Sequence, residues 1–154
     1  MSTFNASEIY QFAIKIESDG EKFYREFSKK FKDKAVSALF NDLADEEVSH
    51  RVFFENGLKS FNKYDPAESF PDEYFAYLRA FAENIVFVKD NLEKEIEKID
   101  TKEAALDFAI KRELDTIHYY MEMKGLVSAS EVELIDKIIA EERNHFIKLN
   151  NLKA

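Results

Sequence analysis

The chain has 154 residues, 45% of them hydrophobic, with 3 Gly, 2 Pro and no Cys; it is long enough to bury a core without covalent staples and too poor in turn residues for a many-stranded sheet. A formal charge of -9 would repel a phosphate backbone or an anionic lipid surface, so neither nucleic acid nor a membrane is an expected partner. Without cysteine there can be no disulfide, thiolate metal site, iron-sulfur cluster or redox dithiol, and any bound metal must be held by carboxylate and imidazole.

The first eight residues lack a basic segment followed by an apolar one, and apolar runs such as Ile85 to Val88 are far too short to span a bilayer. A soluble cytoplasmic protein is expected. Asn5 with Glu8 resembles a capping box, and the apolar spacing that follows predicts helix A over about residues 6–31. After Lys32-Asp33-Lys34, with Asp33 as N-cap, the periodicity of Val36, Leu39, Leu43, Phe54 and Leu58 predicts helix B over about 34–60. A break this short makes A and B antiparallel neighbours. Residues 61–100 contain both prolines, Pro66 and Pro71, and read as a long crossover with short helical patches near 72–83 and 91–98. Asp100 with Glu103 opens helix C, about 101–124, which Gly125 can stop; Ser128 with Glu131 opens helix D, about 129–150. The expected architecture is an all-α four-helix bundle forming one domain over residues 1–154, with the crossover between B and C.

The two halves of the chain repeat. Phe12-Ala13-Ile14-Lys15-x-Glu17-x-Asp19, with Tyr24 later, is echoed by Phe108-Ala109-Ile110-Lys111-x-Glu113-x-Asp115, with Tyr120 later, at an offset of 96. Ala44-Asp45-Glu46-Glu47-x-x-His50 is echoed by Ala140-Glu141-Glu142-x-x-His145, at an offset of 95 from Glu47 to Glu142.

Steps of three and four along each helix place these acidic residues inside apolar rows. Helix B reads Leu39, Leu43, Glu47, His50, Phe54, and helix D reads Ile138, Glu142, His145, Leu149; A and C each insert one residue, Glu17 and Glu113. Four carboxylates in a core without partners would cost several kcal/mol each in desolvation, with mutual repulsion added. No Lys or Arg falls on the inward rows, since Lys15, Lys22, Arg51, Lys111, Arg112 and Arg143 lie off them. Two divalent metals would balance the four carboxylates and leave both imidazoles neutral as donors. Glu and His three residues apart lie about 60° apart around a helix and can address one metal pair from the same side. Glu47 and Glu142 are the expected bridges, Glu17 with His50 completing one metal and Glu113 with His145 the other. Oxygen-rich, thiolate-free ligation with imidazole suits iron or manganese better than a structural zinc site.

Asp19, Glu21, Glu46, Asp115 and Glu141 flank these positions off the inward rows and read as solvated or as neighbours of the ligands. His118 reads as a surface or interface residue. Tyr24 and Tyr120, each seven residues past a row Glu, are candidates for a hydrogen bond to the centre. A second apolar row on helix A, Phe4, Phe12, Ile16 and Phe23, faces away from the metals. It is expected to be covered by a second copy in a homodimer, or else by the crossover.

The paired Glu...Tyr and Glu-Glu-x-x-His patterns resemble the rubrerythrin-type branch of ferritin-like di-iron carboxylate proteins across all four predicted bundle helices. The resemblance implies a non-haem di-iron centre, held through Glu17, Glu47, His50, Glu113, Glu142 and His145, that reacts with hydrogen peroxide or O2 as an oxidoreductase. Two features depart from that pattern. A chain without cysteine has no rubredoxin domain, so its electrons must come from a separate donor protein; and the family's additional Glu, three residues past the helix C ligand, is Thr116 here, so its exchange of a Glu for a His ligand is not carried over. Iron handling of the ferroxidase kind, or oxygenation of an organic substrate, are the alternative activities.

Overall fold

The computed structural model describes residues 7–61, 72–83 and 91–153, and among them it contains helices and no strands. The long helices are α1 (Ser7–Lys30), α2 (Lys34–Phe61), α5 (Lys102–Met123) and α6 (Ala129–Lys153); two short ones, α3 (Asp72–Phe81) and α4 (Leu92–Lys98), lie between α2 and α5. The chain is thus an all-α four-helix bundle, built from two hairpins, α1 with α2 and α5 with α6. The patches expected near 72–83 and 91–98 are α3 and α4, which pack on α5 and α1 respectively. Asn5, Phe4, Pro66, Pro71 and the run Ile85 to Val88 fall outside the described residues, as does the side chain of Phe61.

Local chemistry sets the helix ends. Asp33 Oδ1 accepts from the backbone N–H groups of Ala35 and Val36 at 3.0 and 3.2 Å, satisfying two donors that the first turn of α2 leaves open. Thr101 does the same for α5, accepting from Ala104 N at 3.1 Å, so the cap is one residue later than the Asp100 start read from the sequence. At α6, Ser128 N donates to Glu131 Oε2 at 3.0 Å, one arm of the expected capping box. Gly125 sits in a 3-10 turn, Lys124–Leu126, that ends α5.

The core consists of two apolar clusters. One gathers Ile9, Tyr10, Phe54, Tyr119, Met123 and Ile135 toward one end of the bundle, with Leu78 and Ala82 of the crossover in the same cluster. The other gathers Phe27, Val36, Phe40, Leu43, Leu106 and Leu149 toward the opposite end, with Ile96 of α4. Two residues of the second row on α1 are covered by the chain itself: Ile16 belongs to the first cluster and Phe23 to the second, where Phe23 meets the Phe108 ring edge-on at 5.3 Å. Those two residues therefore expose no face to a second copy.

At one place the α1–α2 contact is too close for any side chain. A Cβ added to Gly57 would stand 2.6 Å from Cε1 of Tyr10, a ring that is 1% exposed and cannot swing away. Alanine is the better helix former by about 1 kcal/mol, but overpacking a buried ring costs about 1–3 kcal/mol, so steric conflict should win. Gly57→Ala is expected to lower the melting temperature by a few degrees; a midpoint at or above the parent would show that Tyr10 yields freely.

Candidate metal centre

Between the two apolar clusters lies a layer of six ionisable side chains. Glu17, Glu47, His50, Glu113, Glu142 and His145 are each at most 3% exposed, one row position apiece on α1 and α5 and two on each of α2 and α6. Their donor atoms form two overlapping groups, Glu17, Glu47, His50, Glu142 and Glu47, Glu113, Glu142, His145, within each of which the atoms lie within 4.8 Å of one another. Glu47 and Glu142 belong to both groups.

Both imidazoles turn Nδ1 inward. His50 Nδ1 stands 2.9 Å from Glu142 Oε1 and 3.5 Å from Glu17 Oε2; His145 Nδ1 stands 3.0 Å from Glu142 Oε2, 3.4 Å from Glu113 and 3.5 Å from Glu47. The two rings lie nearly parallel, 5.9 Å apart. The outward nitrogens cross between hairpins: His50 Nε2 meets Glu141 of α6, and His145 Nε2 meets Glu46 of α2, each at 2.5 Å. A carboxylate on Nε2 fixes the ring's orientation and keeps Nδ1 as the inward donor. Two tyrosines cross as well, Tyr24 of α1 donating to Glu113 and Tyr120 of α5 to Glu17.

Glu46 and Glu141, read from the sequence as solvated or neighbouring, thus have a definite role, although their side chains are 41% and 54% exposed. The signal was their repeated position immediately before Glu47 and Glu142, about 100° around the helix and so aimed at the adjoining hairpin. Arg112, off the metal rows as expected, is nevertheless buried, with its guanidinium 5.7 Å from the Phe23 ring centre and 3.8 Å from Asp19. His118 is on the surface as expected, 3.1 Å from Tyr77 Oη and against the Phe81 ring.

The donor set fits a pair of cations. Glu17 Oε2, Glu113 Oε2, Glu142 Oε2 and His145 Nδ1 are buried and make no hydrogen bond, the 3.0 Å approach of His145 Nδ1 to Glu142 Oε2 lacking the alignment of one, a condition that native interiors rarely tolerate. The acid-base balance says the same. Burial first, then the charge on Glu142, pushes the carboxyls of Glu17 and Glu47 well above their ordinary 4.5, and Glu113 moves likewise. Burial opposes ionisation of Glu142 too, but its contacts with Glu113, His145 and His50 overcome this and hold it well below 4.5. Burial alone would lower both histidines; Glu142 raises His50 to about 9, and Glu113 with Glu142 raises His145 further. The layer thus favours protons, and divalent metals would have to compete with them.

His50, raised from 6.5 to about 9, contributes to folding fully below pH 6.5 and loses that contribution as pH climbs toward 9. The three raised carboxyls act in the same sense, because the folded chain keeps protons that the unfolded chain releases above 4.5; Glu142 acts oppositely, its contribution being lost only as pH falls below 4.5. The metal-free protein should therefore melt lower as pH rises from about 6 to about 9, while divalent metal stabilises it more over that range. Binding should release protons from the raised carboxyls and imidazoles; a metal-free melting temperature that rises with pH, or binding heats independent of the buffer's ionisation, would contradict this. Separately, Glu46→Ala or Glu141→Ala should weaken metal binding by about 10- to 100-fold in titration, and an unchanged affinity would mean that these carboxylates orient nothing.

Comparison with known proteins meets the same chemistry. The profile of the family described as Rubrerythrin matches residues 8–153. A solved structure from Thermotoga maritima, described as a candidate ferritin-like diiron-carboxylate protein, shares 29% sequence identity and superimposes with a TM-score of 0.70 over 97% of this chain and 95% of that one. No curated protein matches the sequence. A profile match over nearly the whole chain, on a four-helix bundle whose midsection carries two overlapping Glu/His groups, places this chain in the rubrerythrin family.

Proposed function

We propose that the six buried side chains bind two iron ions and that the centre reduces hydrogen peroxide, or O2, with electrons from a separate donor protein. The observation that carries this reading is the pair of overlapping groups sharing Glu47 and Glu142: two carboxylates common to two cation positions are what a bridged pair requires. Membership of the rubrerythrin family and an oxygen-and-imidazole donor set without thiolate support iron, with manganese as the alternative. A donor must be external because a chain without cysteine carries no cluster or dithiol of its own.

Two Fe(II) ions held there would supply one electron each to a peroxide. The chain contributes the surroundings for that step. Glu17 with His50 and Glu113 with His145 would complete the two metals, and Glu47 and Glu142 would bridge them. Tyr120 and Tyr24 donate hydrogen bonds to Glu17 and Glu113 and hold those carboxylates in place; burial keeps both phenols well above their ordinary 10, so they stay protonated donors. Glu141 and Glu46 fix the two imidazoles. The apolar clusters on either side exclude bulk water, which strengthens every electrostatic contact within the layer.

Anaerobic titration should load two Fe(II) per chain, and rapid mixing should show oxidation by peroxide at least about tenfold faster than by O2. Faster oxidation by O2 with ferric iron retained would favour iron handling instead. Stoichiometry below two, or unchanged binding in a Glu47→Ala, Glu142→Ala double variant, would rule the centre out.

A further inference from the structure

Gly20 lies on α1 three residues past Glu17, and its counterpart in the 96-residue repeat is Thr116, three residues past Glu113 on α5. Both positions are buried. A glycine in the middle of a 24-residue helix is unfavourable relative to alanine, so its presence needs a local cause. A Cβ built at Gly20 would stand 3.1 Å from both Cδ and Oε2 of Glu47 and 3.3 Å from its Cγ. The space a side chain would take is filled by the Glu47 carboxylate. On the α5 side Thr116 keeps its side chain, 7% exposed, and the matching carboxylate, Glu142, lies between the imidazoles at 2.9 and 3.0 Å. The repeated halves are therefore unequal beside one of the two shared carboxylates.

We infer that Gly20 is a positioning residue for Glu47: its missing side chain is the seat from which Glu47 reaches both metal groups. This rests on the proposed metal-binding role of the six side chains. The consequence of filling the seat depends on what holds Glu47. With the metals removed, the carboxylate is the far end of a flexible side chain and can give way by a few tenths of an ångström, so alanine at position 20 should leave the fold intact. A carboxylate shared by two cations has no such freedom, so the same methyl group should act against metal binding. Because Gly20→Ala adds one carbon where Glu47→Asp removes one, the second change should relieve the first.

Cobalt(II) tests this without turnover, since its visible bands report coordination number and geometry. The parent is expected to bind two Co(II) per chain. Gly20→Ala should melt at or above the parent when metal-free, bind Co(II) at least about tenfold more weakly and show altered bands. Gly20→Ala/Glu47→Asp should bind Co(II) more tightly than Gly20→Ala alone, although Glu47→Asp by itself weakens binding. Unchanged affinity and bands in Gly20→Ala, a loss that Glu47→Asp does not relieve, or a metal-free melting temperature below the parent would each overturn the inference while leaving the metal centre standing. A parent that fails to bind two Co(II) would overturn both.

Discussion

Four carboxylates and two imidazoles held in one dry layer, with apolar clusters on either side, set the terms for the rest of this molecule. Each carboxylate there would be costly alone, and together they repel. The bundle meets that cost at several levels at once. Burial moves three of the carboxyls toward their protonated form, carboxylate neighbours move both histidines the same way, tyrosine hydroxyls donate to Glu17 and Glu113, and Glu46 and Glu141 steady the histidines from outside. These devices reduce the strain without removing it, and buried oxygens without partners persist at Glu17, Glu113 and Glu142. Such a layer destabilises a bundle that serves no purpose with it and suits one that binds cations.

Much of this was legible in the sequence because helical periodicity turns spacing into direction. Val36, Leu43 and Phe54 mark the buried face of α2, so Glu47 and His50 between them had to point inward. The repeat with Ile138, Glu142, His145 and Leu149 made chance a poor explanation. Capping chemistry was legible for a similar reason: Asp33, Ser128 and Glu131 act within a few residues of their own positions.

What the sequence could not show is what lies opposite each face. Glu46 and Glu141 look like ordinary solvated acids until the other hairpin brings a histidine to within 2.5 Å of each. Tyr24 sits two turns from Glu17 but bonds to Glu113 on another helix. Arg112 lies off the metal rows yet is buried against Phe23, and the apolar row on α1 that suggested a partner is covered in part by neighbours from the chain itself. Each of these depends on packing between elements far apart in sequence, where spacing along one helix says nothing.

The layer is also shared across the two hairpins. Each contributes three of the six side chains, yet each group of donors takes at least one from the other hairpin, Glu142 in one case and Glu47 in the other. The two hairpins are separated by the 40 residues between Phe61 and Lys102, and cations bound across both would stabilise the folded arrangement that brings them together. Cations shared in this way would act as a reversible crosslink in a protein that has no cysteine to make a permanent one. The persistence of the fold would then track metal supply, and the metal-free chain would be a looser bundle that proteases open sooner.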